Sequence, residues 1–201
     1  MKKIVLFIAF LMICSSATVL LAETDYTVIK LSLLPGISVP DNKIVNGFEL
    51  GLLGTRSNQV FGLQVAPFYA KTVEISYGIQ ASLVALSDDF VGAKVWSIYS
   101  YARKMTGYQA AIVSRSIEMN GYQTGIVSMS DKLAGLQAGA VTITNEQVGA
   151  QIGLINISAA AKGLQLGLVN FTNSMEGVQI GLINIITKSK LPFMVLVNAN
   201  F

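Results

Sequence analysis

From position 47 onward, apolar and polar residues alternate with a period of two inside short blocks, and the blocks themselves recur. Residues 163–170 read GLQLGLVN, which puts Leu164, Leu166 and Leu168 on one face and Gly163, Gln165, Gly167 and Val169 on the other. Successive side chains of an extended strand point to opposite sides, so this is strand patterning. Earlier blocks keep the pattern: Phe48, Leu50 and Leu52 oppose Glu49 and Gly51, and Tyr122, Thr124 and Ile126 oppose Gln123 and Gly125. Each block opens on a glycine: Gly47, Gly62, Gly78, Gly92, Gly107, Gly121, Gly135, Gly149, Gly163 and Gly177. The spacings are 15, 16, 14 and 15, then 14 five times over. Polar breakers such as TNSME and TNEQ separate the blocks and predict turns. Self-similarity at a fixed period marks a repeat architecture.

Ten strands of about eight to ten residues follow from the blocks. Residues 26–34 (YTVIKLSLL) and 193–201 (FMVLVNANF) predict an opening and a closing strand, for about twelve in all. The expected fold is all-β, an antiparallel up-and-down β-barrel of about 12 strands. Nine or ten tilted residues cross a bilayer core, and an even strand count returns both ends to one side. The alternative is a parallel β-solenoid with 14-residue coils. It is favoured by phase: Gln109, Gln123, Gln137, Gln151, Gln165 and Gln179 recur at one position, as do Asn156, Asn170 and Asn184. Such residues stack into ladders when repeats pack in register. A solenoid of this kind is expected to bury its leucine face as core.

Composition narrows the function classes. Lys2-Lys3, an apolar run from Ile4 to about Met12 and small residues around Ala17 and Ala22 predict a signal peptide over 1–22, leaving one repeat-built β domain over 23–201, with repeats at about 47–198. Cleavage after Ala22 removes two lysines and lowers the net charge from +3 to +1. No basic patch remains to track phosphates, so nucleic acid is not an expected partner. The one cysteine, Cys14, lies in the leader, and the bulky Ile13 before it argues against lipidation. The mature chain is expected to begin near Glu23 without an acyl chain or disulfides.

Two resemblances add to this reading. The ending, in which Phe193, Val195 and Val197 alternate toward the terminal Phe201, resembles the closing strand of bacterial outer-membrane barrels. That resemblance implies an assembly signal at Phe193, Val195, Val197 and Phe201, with the barrel-assembly machinery and the lipid bilayer of the outer membrane as partners. The same alternation sets the closing strand's apolar face on odd positions, where the repeats put Gly and Gln, and a bulge near Pro192 is expected to shift the phase. The repeat block resembles an uncharacterised family of bacterial surface proteins built on G-x-Q-x-G-[LI]-[VI]-N units. It implies an exported protein at the outer membrane or cell surface and brings no activity and no catalytic residues.

Candidate chemistry is sparse. The chain has no histidine, which removes histidine-based acid/base and metal chemistry. The recurrent glycines precede no helix and so form no phosphate loop. No catalytic residue, metal ligand or cofactor is expected, and the protein reads as non-enzymatic: a structural or small-pore protein of the outer membrane, or alternatively a secreted or surface-attached β-solenoid adhesion or binding module. In the barrel, Gln109, Gln123, Gln137, Gln151, Gln165 and Gln179 face the lumen. Glu49 and Lys94 take the glutamine position in two blocks. They are expected to face the lumen too and to pair with each other, because an unpaired buried charge is costly.

Overall fold

A computed structural model describes residues 25–201; the expected signal peptide and Cys14 lie outside the described residues. The molecule is all-β, and the repeats stack as a parallel solenoid. Ten strands follow in chain order: β1 (Tyr26–Leu34), β2 (Ile37–Val39), β3 (Ile44–Gly51), β4 (Gly54–Ser57), β5 (Gln59–Val65), β6 (Tyr69–Thr72), β7 (Ser76–Ala81), β8 (Val84–Leu166), β9 (Val169–Ile186) and β10 (Phe193–Asn200). Strand β8 runs for 83 residues because its hydrogen bonding continues round the corners of successive coils.

The barrel expectation is therefore corrected. Strands β3, β5, β7, β8 and β9 pair in parallel, with glycine opposite glycine: Gly47 with Gly62, Gly62 with Gly78, Gly78 with Gly92 and Gly163 with Gly177. A meander would set neighbouring strands antiparallel. Here antiparallel pairing holds β2 to β1 and β10 to β9, at the two ends of the sheet. At the carboxyl end β10 covers the last coil from Gly177 to Ile185, and at the amino end the short β2 covers β1 at Leu31, Ser32 and Leu34.

The opening glycines make this stacking possible. All ten have φ between 120° and 151°, a region closed to side chains. A Cβ on Gly163 would overlap the carbonyl oxygen of Gly149 in the coil below, and the same contact recurs up the column. In Gly167, four residues on, the φ is ordinary, but a Cβ would meet the carbonyl of Gly153. One glycine column lets the backbone turn; the other lets successive coils approach at the bend.

With the opening glycine numbered zero, a coil has four parts. Positions 0 to 3 form one wall, 4 to 6 a bend, 7 to 9 the facing wall, and 10 to 13 a polar edge. Side chains at positions 2, 7, 9 and 12 point inward. The core is the reverse of the solenoid expectation. Gln165 is 0% exposed, whereas Leu166 is 39% and Leu168 50% exposed. The leucine face is outside. The larger buried apolar side chains gather mainly two residues before an opening glycine: Phe90, Met105, Met119 and Leu133 cluster there with Ala102 of the polar edge, and Met175 and Ala161 cluster with Ile186 of the facing wall.

Candidate functional site

The interior is organised by one column of side chains at position 2. Register places Lys30 beside Glu49, Glu49 beside Gln64, Gln64 beside Gln80, and Gln80 beside Lys94. Gln109, Gln123, Gln137, Gln151, Gln165 and Gln179 continue it, and Asn198 of β10 closes it opposite Gln179. Every member is buried. The amides are satisfied by one another. Gln123, Gln137, Gln151, Gln165 and Gln179 each donate Nε2–H to the Oε1 of the preceding glutamine, at 3.1, 2.8, 2.9, 2.7 and 2.7 Å. Each also reaches the facing wall, as Gln123 does at Ser116 Oγ (3.2 Å) and the Met129 carbonyl (3.1 Å). An amide carries both donors and acceptors, so within a one-way ladder each amide oxygen from Gln109 to Gln165 accepts from the next glutamine.

A second ladder occupies position 7 and runs the other way. Asn156 donates to Asn170 Oδ1 and Asn170 to Asn184 Oδ1, both at 2.8 Å, toward the carboxyl end. Thr142 feeds its start, donating to Asn156 Oδ1 at 2.6 Å. The glutamine dipoles point one way along the axis and the asparagine dipoles the other, so the two columns offset each other's field.

The charged members sit where the ladder breaks. Glu49 accepts from Ser57 Oγ and Gln64 Nε2, each at 2.8 Å, and lies 3.8 Å from Lys30. Burial raises the Glu49 carboxyl above its usual range, opposed by the Ser57 hydrogen bond and by Lys30. Burial also lowers the Lys30 ammonium, opposed by Glu49. Lys94 is fully buried; it donates to Ser87 Oγ (2.9 Å) and the Tyr101 carbonyl (2.6 Å) and lies 5.6 Å from the Phe90 ring centroid. Burial holds its pKa well below the lysine range. The expected Glu49–Lys94 pair does not form. Both stand in one column with Gln64 and Gln80 between them, roughly 14 Å apart at three strand spacings, and Glu49 takes Lys30 instead. A lysine only donates, so it cannot accept from Gln109, which turns to Ser100. Gln80 Oε1, facing Lys94, is left without a partner, as is Gln179 Oε1 at the carboxyl end.

The residues of the expected assembly signal lie on β10. Phe193, Val195, Val197 and Phe201 are all exposed, Phe201 at 92%. The phase shift in this strand falls between Met194 and Leu196, where Leu196 has φ 71°, and not at Pro192. It turns Asn198 inward to end the amide column.

The column has members that repeat reading passed over. Gln64 and Gln80 stand two residues after Gly62 and Gly78, so the block rule itself contained them. Lys30 and Asn198 lie in terminal strands without an opening glycine, and only the register reveals them.

The outer surface divides sharply. Positions 1, 3, 5, 6 and 8 of the six coils that start at Gly107 comprise thirty residues, of which Arg115 alone is charged. The polar edge carries ion pairs between adjacent coils: Arg103 with Asp89, Lys104 with Glu118 at 3.2 Å, and Lys162 with Glu176 at 2.8 Å. No protein-family model matches the chain, and neither a curated protein nor a solved structure shows significant similarity to it.

Proposed function

We propose that the protein is an exported, non-enzymatic β-solenoid of the bacterial surface, acting as a binding or adhesion module through its outer walls. One observation carries this reading: the chain seals its amides and hydroxyls inside and turns its aliphatic side chains outward. Reactive groups such as Glu49 and Lys94 are fully buried, out of reach of any substrate. Soluble monomers rarely keep a continuous apolar face, and a large one marks a surface that something covers. The resemblance of the G-x-Q-x-G-[LI]-[VI]-N blocks to bacterial surface-repeat proteins supports the location, as does the leader-like start.

The test is labelling from outside. Lys132 is exposed on the polar edge. With Lys132→Cys in a chain whose one native cysteine lies in the leader, a membrane-impermeant maleimide should label the protein on intact cells. Labelling only after the envelope is broken sinks the surface location.

A further inference from the structure

Resting on the surface reading, we infer that what covers the apolar walls is lipid: the solenoid lies with its axis in the membrane plane, sunk into one leaflet, with the polar edge at the headgroups. The argument starts from how far the apolar surface wraps. It includes wall one (Ile180, 41% exposed), the bend (Ile126, 59%; Leu182, 57%) and the outer side of wall two at Ile143 and Ile157. The two walls face each other across the interior, since Gln123 on one reaches Ser116 on the other. Their outer sides therefore point in opposite directions. A second copy or a folded partner seated on one wall leaves the other in water. An apolar phase that surrounds the bend and both walls at once does not.

Depth agrees with that phase. Wall one and its turn into the bend, positions 0 to 4, rise about 13 Å over four steps of about 3.3 Å each. One leaflet contributes about 15 Å of hydrocarbon. Hydrocarbon also demands that backbone groups be paired internally. The stacked coils meet this along their flanks through parallel in-register pairing. Aromatic residues are placed to match. Tyr108 and Tyr122 stand at position 1, close to the polar edge, where an amphipathic ring meets the headgroups. Trp96, 82% exposed with φ 57°, projects from the bend, the part farthest from the polar edge.

The charge pattern specifies acyl chains and not an anionic surface. Positions 10, 11 and 13 of the same six coils hold four acids (Glu118, Asp131, Glu146, Glu176) and four lysines (132, 162, 188, 190). They cancel, so attraction to anionic headgroups contributes little. Binding should be as strong on zwitterionic vesicles as on anionic ones, and insensitive to salt.

Trp96 is the chain's one tryptophan, so the native protein reports its own position. The purified full-length mature chain is mixed with phosphatidylcholine vesicles whose acyl chains carry bromine at defined depths. Expected are a blue-shifted Trp96 emission and quenching that is stronger from bromines near the chain end than from bromines near the glycerol. Leu168→Asp, at an exposed bend position, should lower vesicle association at least tenfold with an unchanged β-sheet spectrum, and Lys132→Ser should leave association unaltered. Absence of quenching overturns the proposal. So does a Trp96 blue shift in buffer alone accompanied by a dimer mass, which assigns the walls to a second copy, or binding that needs anionic lipid and fails at high salt. Labelling of Lys132→Cys on intact cells is read independently. A labelled protein that ignores lipid keeps the surface reading and loses this one.

Discussion

At the residue scale, Lys94 is the position where the column works against itself. It interrupts a ladder that would otherwise run from Gln64 to Gln179, and leaves Gln80 Oε1 unpartnered. Lys94→Gln offers a donor to Gln80 and an acceptor to Gln109, and removes a buried charge. We expect stabilisation of about 1–3 kcal/mol at neutral pH, read from urea unfolding midpoints. Burial places the folded-state pKa of Lys94 well below its unfolded value. Between those two values the unfolded chain binds more protons, so stability rises with pH and levels off above about 10.4. Lys94→Gln should flatten that rise. Lys30, shifted in the same direction, contributes its own share in both proteins, so the difference between the two curves isolates Lys94. An equal slope in both, or a less stable variant, refutes the assignment. Gly135→Ala tests the other recurring residue. With φ 134° and the Gly121 carbonyl where a Cβ would go, it should lose about 2–4 kcal/mol in the same unfolding assay. Both residue types were legible in the sequence, because an obligatory glycine and an amide at fixed phase recur together. The partner of Glu49 was not. Its alternatives, Lys30 and Lys94, differ only in how strands are ordered in space, and the opening strand carries no repeat mark.

At the element scale, the inward position 12 forms a thin apolar seam, and Gln147 divides it. Phe90, Met105, Met119 and Leu133 lie on one side of the gap, Ala161 and Met175 on the other. Gln147 donates to the carbonyls of Gly149 and Leu164 at 3.2 and 2.9 Å, yet its Oε1 has no partner. Gln147→Met keeps the length and fits the residues above and below. Joining the two clusters and relieving the bare oxygen should outweigh the two lost hydrogen bonds, raising stability by about 1 kcal/mol. A lower melting temperature would falsify that balance. Strand patterning itself was readable, since alternation in residues 163–170 admits only a strand. Which face is inside was not. Leucine on one side and glutamine on the other ordinarily means a leucine core, as between packed sheets. The outcome inverts because adjacent coils lie about 4.8 Å apart, the spacing at which stacked amides satisfy each other, and because a 14-residue coil leaves little room between its walls.

At the scale of the whole molecule, barrel and solenoid share a period of two, a 14-residue repeat and a polar face, which is why the sequence alone favoured the wrong one. What separates them is direction. In a meander each strand reverses, so a fixed position in the repeat falls alternately toward one rim and the other. Side chains at one phase then cannot form a one-way ladder. The run from Gln109 to Gln179 does form one, with every donor pointing toward the amino end. The same logic makes the polar edge a decisive place to probe. Asn145 donates to Asp131 at 3.3 Å from the next coil. Their Cα atoms lie one strand spacing apart, about 4.8 Å, inside the range a disulfide spans. In a barrel, residues 131 and 145 occupy successive turns on opposite rims, separated by the hydrocarbon thickness of about 30 Å. The double variant Asp131→Cys, Asn145→Cys should therefore close an internal disulfide nearly completely under mild oxidation in the native protein, measured as loss of free thiols with the monomer mass retained. Closure only after unfolding, or only between molecules, would return the chain to the barrel. Because this cross-link involves no lipid and no partner, it tests the stacking of the coils separately from whatever covers their walls.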